Sequence, residues 1–198
     1  MAVDSDLNDS IQQLRRIFES RRLPLTLGEL SSTEVDVLRK ELRLPPRYRS
    51  FLRECNPVEF ESVTPVERIR FFSGSELSVE QKRFRLPDGV LDPSWKSSWV
   101  VIGESTLLGD PYFLDVDRED AEGDCHVYTA MSGEVRWVPT LAGSSLAQFF
   151  AIISAAMDLA KGFAEGIIDV DDEANFRENL APRVRVIDNA AAKAGHWT

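Results

Sequence analysis

The chain has little of what usually performs chemistry. Its 198 residues include two cysteines and two histidines, and Cys55, Cys125, His126 and His196 show no zinc-ligand spacing. Cys125 and His126 are adjacent, so on a strand they point to opposite faces. Two thiols so far apart make no disulfide framework, and their apolar surroundings read as free, buried cysteines. A G-x-S-x-G nucleophile elbow is absent. The run from Gly103 to Gly109 has no following Lys-Ser or Lys-Thr, which excludes a phosphate loop. Long hydrophobic runs are missing as well. The longest, Phe149 to Met157, is interrupted by Ser154 and reaches about half of the 18 residues that a membrane span needs. The opening "MAVDSDLNDS" lacks the basic and apolar regions of a secretory leader. A cytoplasmic protein without membrane contact is the expectation.

Positive charge is the other shortage. With 23 basic against 33 acidic side chains the net charge is -10, which argues against direct nucleic-acid binding. Trp95, Trp99 and Trp137 could in principle stack bases, but on an acidic chain they read better as core residues of a sheet. The same charge favours solubility and speeds encounter with a basic protein. Hydrophobic content of 43% and charged content of 28% describe an ordinary globule. The length suggests one domain, or one with an appendage, at roughly 150 residues per domain.

What the chain does have is clear periodicity. Leu7, Ile11, Leu14 and Phe18 share one face of a helix over about residues 5–20. Pro24 and Gly28 break it. Ser31 and Glu34 form a capping box for a helix over 32–42, with Val35, Leu38 and Leu42 inward. "LPPRYRSFLRECN" predicts a third helix over 45–55, opened by Pro45 or Pro46 and stopped at Asn56-Pro57. Its Tyr48, Phe51, Leu52 and Cys55 point inward; Arg47, Arg49 and Arg53 point outward. The period then shortens. "VERIRFF" (66–72), "SWVVIG" (98–103), "PYFLDVD" (111–117), "CHVYTAM" (125–131) and "EVRWVPT" (134–140) read as strands, with a tight hairpin at Met131–Glu134. A short helix and a loop rich in Pro, Asp and Gly separate the first two strands. A closing helix over 144–160 presents Leu146, Phe149, Phe150, Ile153 and Met157. Beyond it, a short acidic helix near Asp171–Leu180 and an edge strand "RVRVID" are expected, and the terminal "AAAKAGHWT" is expected to fray. Helices, then an antiparallel meander, then helices make an α+β fold: a twisted, mostly antiparallel sheet of about five or six strands packed by N- and C-terminal helices.

Charge is unevenly spread. Glu104 to Asp124 holds eight acids and one base, whereas Arg39 to Arg53 holds six bases and one acid. "DVDRED" places Asp115, Asp117 and Glu119 at alternate positions, as a calcium loop does, yet Asp120 and His126 stand where that loop needs Gly and Glu. "DVDDEA" at 169–174 fails in the same way at Ala174. Asp115 and Asp117 share one face of a strand, an arrangement that a metal-dependent hydrolase could use and that a half-exposed strand end also gives.

Taken in order, these segments resemble the SUKH superfamily, the domains of yeast cell-wall-synthesis regulators and of bacterial immunity proteins. The first matching motif is the "LP-x-x-Y-x-x-FL-x-x-x-N" helix, through Leu44, Pro45, Tyr48, Phe51, Leu52 and Asn56. The second is a pair of strands through Ile102, Gly103, Gly109, Asp110, Leu114 and Asp115. "CHVYTAMSGE" and "LAGSSLAQFF" fit the next strand and the closing helix, with Leu146 in place of the usual Phe. After Asn56 the family runs into Gly-Gly, whereas this chain has Pro57-Val58. The likeness covers residues 30–160, which implies one domain over 1–162 with the helix over 5–20 appended, then a partly ordered acidic extension over 163–198. It also implies a non-catalytic binding function without metal or cofactor, commonly the neutralisation of a toxin encoded nearby. A basic toxin domain such as a nuclease would suit this acidic chain. On that reading Asp110 and Asp115 are structural, and Asp117, Glu119, Asp120, Glu122 and Asp124 form the partner surface, with Trp137 or the tail from Asp169 to Glu178 as the alternative. A regulator or scaffold of cell-envelope or signalling assemblies, and a small hydrolase using Asp115 and Asp117, are the competing functions.

Overall fold

Helical and two-residue periods sort into the elements they predict, with additions at both ends of the sheet. A computed structural model describes residues 5–163 and 170–198. Helix α1 (Ser5–Arg21) buries the expected Leu7, Ile11, Leu14 and Phe18. Strand β1 (Leu25–Gly28) follows, then α2 (Ser32–Leu42), whose Ser31 and Glu34 form the capping box. The main chain at Arg43 turns left-handed and leads into α3 (Pro46–Cys55), with Pro45 at its N-cap. The chain passes directly from α3 into β2 (Asn56–Val63), so Pro57-Val58 begins a strand where the family has Gly-Gly. Strand β3 (Arg68–Phe71), helix α4 (Gly74–Arg85), strands β4 (Trp99–Ser105), β5 (Pro111–Asp115), β6 (Val127–Thr129) and β7 (Thr140–Gly143), and helices α5 (Leu146–Leu159), α6 (Val170–Ile187) and α7 (Asn189–Ala194) complete the chain.

The strands form one seven-stranded sheet in sequence order, each antiparallel to the next. The fold is therefore α+β, with an antiparallel sheet of seven strands. Both its faces are covered. On one face α5 inserts Phe149 and Phe150, whose rings lie 5.5 Å from Tyr112 and 5.2 Å from Phe51 respectively. Phe60 and Phe71 stack beneath them at 4.2 Å. On the other face Trp99 and Phe113 lie 4.5 Å apart, with Trp95 and Phe84 above them. This is why β4 and β5 are apolar at consecutive positions rather than alternate ones. Both thiols, Cys55 and Cys125, are free and buried. Among the described residues no helix is long and apolar enough to cross a membrane.

Four expectations need correction. Leu25–Gly28 and Asn56–Val63 are strands, although Pro24 and Pro57 mark them as breaks; each proline stands at a strand's margin, where its missing N–H is tolerated. "EVRWVPT" is not a strand. Val135 and Val138 find no ladder partner and stand exposed, Thr140–Gly143 pairs with β6 instead, and residues 130–139 connect the two in place of a tight hairpin. "RVRVID" is the last part of α6, not an edge strand. Val184 is buried at helical spacing from Phe176 and Leu180 while Val186 is exposed, so the longer period prevails over the short alternation. The end of the chain is anchored. Asp188 caps α7 and accepts from Ser144 N at 2.6 Å. Buried Trp197 donates its Nε1 to Ala142 O at 2.8 Å. Residues 164–169, where the acidic extension begins and where Asp169 falls, lie outside the described residues.

The same end brings together a buried polar chain. Tyr112 OH lies 3.1 Å from Glu67 Oε2 and 2.9 Å from His196 Nε2. Burial raises the carboxyl of Glu67 above its ordinary value. Burial, reinforced by Arg177, lowers His196 from 6.5 to about 4.

Two outcomes follow from this packing. Trp197→Ala should cost about 3–5 kcal/mol in urea denaturation, against near zero for a fraying end. Because the folded state holds the His196 proton less tightly than the unfolded chain, its contribution is complete above pH 6.5 and is lost as pH falls towards about 4. Glu67, with its raised value, acts in the opposite sense as pH falls. Replacing His196 by Gln should therefore remove about 3 kcal/mol of acid-side loss from the difference between the two stability–pH curves. Parallel curves for parent and variant would contradict this.

Candidate partner-binding surface

The acidic segment between β5 and β6 is a built loop. Asp115 Oδ1 accepts from Asp117 N at 3.3 Å, which turns the strand into a short helical turn over Val116–Arg118. Asp120 Oδ1 accepts from Glu122 N at 3.0 Å and Asp124 N at 2.9 Å. Gly123 adopts a φ of +79°, and a Cβ there would lie 2.8 Å from Pro46 Cγ. Glycine is needed for the turn and for the approach to α3. Arg47 N donates to Gly123 O at 3.1 Å and closes the contact.

Asp124 holds this arrangement to the core. Its Oδ2 accepts from Arg47 Nη1 at 2.9 Å and from Leu146 N at 3.2 Å, and its Oδ1 from Cys125 N at 2.8 Å. Arg47 Nη2 also reaches Asp6 Oδ1 at 3.0 Å. One buried carboxylate thus links α1, α3, the loop and the first turn of α5, where an anion is favoured by the helix dipole. Burial pushes the Asp124 carboxyl above its ordinary value, against the pull of Arg47. Burial beside this charge pushes the Cys125 thiol up to about 12, which leaves it unreactive at neutral pH.

The sequence places five acids on one surface; the structure divides them. Asp124 is buried, and Asp117 meets Arg43 at 3.2 Å in an exposed pair. Glu119, Asp120 and Glu122 remain outward. The basic segment does not lie elsewhere, as its separation in sequence suggests: Arg43 and Arg47 abut the acidic loop, and Arg47 points inward. The loop's exposed charge is accordingly three acids, with Asp117 paired to Arg43 and the single base Arg118 beside them. Trp137 lies at the opposite end of β5 and β6, half-buried, with its ring 5.4 Å from Trp95.

The motif residues form the frame. Leu44, Pro45, Tyr48, Phe51 and Leu52 are buried in and before α3. Asn56 Oδ1 accepts from Gly74 N at 2.7 Å, which fixes the start of α4 to the end of α3. Gly103 has no room for a Cβ, which would stand 2.6 Å from Arg70 O, and Gly109 turns the β4–β5 hairpin at φ +74°. Asp110 Oδ1 accepts from Ser132 N at 2.6 Å. The two carboxylates of the hydrolase reading are each engaged, Asp115 with Asp117 N and, at 3.8 Å, Arg118, and Asp117 with Arg43. Among the described residues no three His, Cys, Asp or Glu side chains gather where they could hold a metal.

The Arg47–Asp124 pair escapes sequence reading because its partners lie 77 positions apart and each resembles its exposed neighbours. If it carries the load described, Arg47→Met should destabilise the fold by about 3–5 kcal/mol, since it strands a buried carboxylate. Adding Asp124→Asn should then cost much less than the sum of the two single changes. Urea midpoints that add to within about 0.5 kcal/mol would show that the pair is not coupled.

The family comparison agrees with this frame. The model of the SMI1 / KNR4 family (SUKH-1) matches residues 29–152, which run from just before α2 to the middle of α5 and include both α3 and the acidic loop. No match was found among curated proteins. With more than half of its length matched, the chain belongs to the SMI1 / KNR4 family (SUKH-1).

Proposed function

We propose that this chain is a non-catalytic immunity-type protein that neutralises a cognate toxin by direct binding, with the loop over 117–122 as its contact. The supporting observation is the mounting of that loop. Glu119, Asp120 and Glu122 face solvent, while the backbone that carries them is tied to three helices through Asp124 and Arg47. A loop whose backbone is already fixed loses little main-chain freedom on binding, so more of the attraction of its carboxylates appears as affinity. The partner that fits is a basic toxin domain such as a nuclease, whose own surface must be positive to approach phosphate. The acidic chain would draw it in by its long-range field. A regulator or scaffold of cell-envelope or signalling assemblies would use the same binding chemistry and differ in its partner.

The test is a variant carrying Glu119→Gln, Asp120→Asn and Glu122→Gln, which keeps the Asp120 Oδ1 acceptor and hence the turn. Surface-plasmon kinetics against the toxin domain encoded beside this chain should show an on-rate lower by about tenfold or more at low salt. The gap should shrink at physiological ionic strength, where charges are screened over about 8 Å. Equal on-rates and equal salt dependence for parent and variant would remove the loop from the interface. A parent that does not bind would remove the immunity reading itself.

A further inference from the structure

Of the six bases between Arg39 and Arg53, the acidic loop takes up two, Arg43 with Asp117 and Arg47 with Asp124. Three of the others gather without partners. Arg49 and Arg53 stand four residues apart on one face of α3 and are half-buried; Arg39 is exposed in the last turn of α2. Burial first, then the charges of Arg39 and Arg53, weaken the hold of Arg49 on its proton. Two exposed acids, Asp36 and Glu119, act on Arg49 in the opposite sense. Arg49 Nε and Arg53 Nε are buried without a hydrogen-bond partner, and none of the three arginines is in an ion pair among the described residues. In a chain of net charge -10 acids are in excess, yet these three guanidiniums face one another. Arg39 and Arg53 do end their helices, where a cation suits the dipole. Arg49, nearer the start of α3, has no such compensation. Like charges held together and buried donors without acceptors both cost stability, and a bound oxyanion would remove both costs.

We propose that Arg39, Arg49 and Arg53 form a binding site for a dianionic phosphate group, either inorganic phosphate or the phosphate of a small ester. The guanidinium fork delivers two parallel N–H donors to one oxyanion. Three such forks offer more donors than the two oxygens of a carboxylate can accept, and a single negative charge would leave the cluster positive. A phosphate monoester brings three acceptor oxygens and a charge of about -1.5 to -2 at neutral pH. The surroundings select a small ligand. Glu119 borders the site, with Asp120 and Glu122 on the same exposed loop, and the net charge of -10 repels an extended polyanion such as a nucleic-acid backbone. A single phosphate meets the arginines alone. The site needs no toxin, so this inference does not depend on the proposed function.

Titration calorimetry of the full chain at neutral pH and low, constant ionic strength tests it with inorganic phosphate, glycerol 3-phosphate and acetate. At least one of the phosphates should bind at a single site, the tighter of the two showing whether the ligand is free or esterified. Acetate should bind at least about tenfold more weakly, because it fills fewer of the forks. Binding of glycerol 3-phosphate should weaken as its second charge is lost below about pH 6. Arg39→Gln, on an exposed side chain, should weaken phosphate binding by about tenfold, and Arg49→Gln with Arg53→Gln should abolish it. The urea midpoint of the Arg39→Gln variant should not fall, since no ion pair is broken, and this separates loss of binding from loss of folding. No binding of either phosphate, by heat or by the phosphorus NMR line, or binding that survives these substitutions would overturn the proposal. So would acetate that binds as tightly as phosphate, which would give the arginines to the carboxylates of a protein. A single-stranded oligonucleotide that binds through the same arginines, while both small phosphates do not, would also contradict it.

Discussion

The carboxylate of Asp124 is the constraint on which the rest depends. It is buried with Arg47 at 2.9 Å, and burying an ion pair carries a desolvation cost that the pair repays only with good geometry and further hydrogen bonds. Here those bonds exist. Two backbone amides, Cys125 N and Leu146 N, complete the carboxylate's shell, and Arg47 divides its guanidinium between Asp124 and Asp6. The directionality that makes such a group expensive also makes it specific. An apolar contact would allow α3, α5 and the loop to slide, whereas this one admits a single relative placement. The arginine stands at an unspecified position of the motif that opens α3, between Pro45 and Tyr48, so the helix that marks the family also carries the residue that seats the acidic loop.

Around that point the sheet is organised by aromatic packing on two faces. Phe149 and Phe150 cover one side, and Trp95, Trp99 and Phe113 cover the other. A fully buried ring of this kind contributes about 1.5–3 kcal/mol, so the core is ample without a disulfide. The C-terminal segment closes the remaining edge. Trp197, whose Nε1 reaches Ala142 O, covers β7 at the edge of the sheet, and an open strand edge invites pairing with another chain.

Much of this is legible in the sequence where one period acts alone. Leu7, Ile11, Leu14 and Phe18 define α1 without help, and Ser31 with Glu34 announces α2. Legibility fails where tertiary partners decide. Asp124 reads as the last of a run of exposed acids, because nothing local reveals that Arg47 lies beneath it. Val184 and Val186 satisfy a short alternation, and only Phe176 and Leu180, further back, show the helix. Trp137 stands in a β-branched run that forms no strand, since its neighbours Val135 and Val138 have no ladder to join. At the end of the chain a lone Trp197 among alanines gives no sign that Ala142 O awaits it.

The chain therefore presents a fixed acidic end, where β5 leads into β6. We propose the acidic end as the partner's contact because its three outward carboxylates stand on a loop tied to three helices. The most direct measurement is hydrogen exchange of the chain alone and in complex with the proposed toxin partner, followed peptide by peptide. Slowed exchange at residues 117–123, with no change at 164–180, is the predicted result. Slowing confined to other segments, with residues 117–123 exchanging as they do in the free chain, would contradict it.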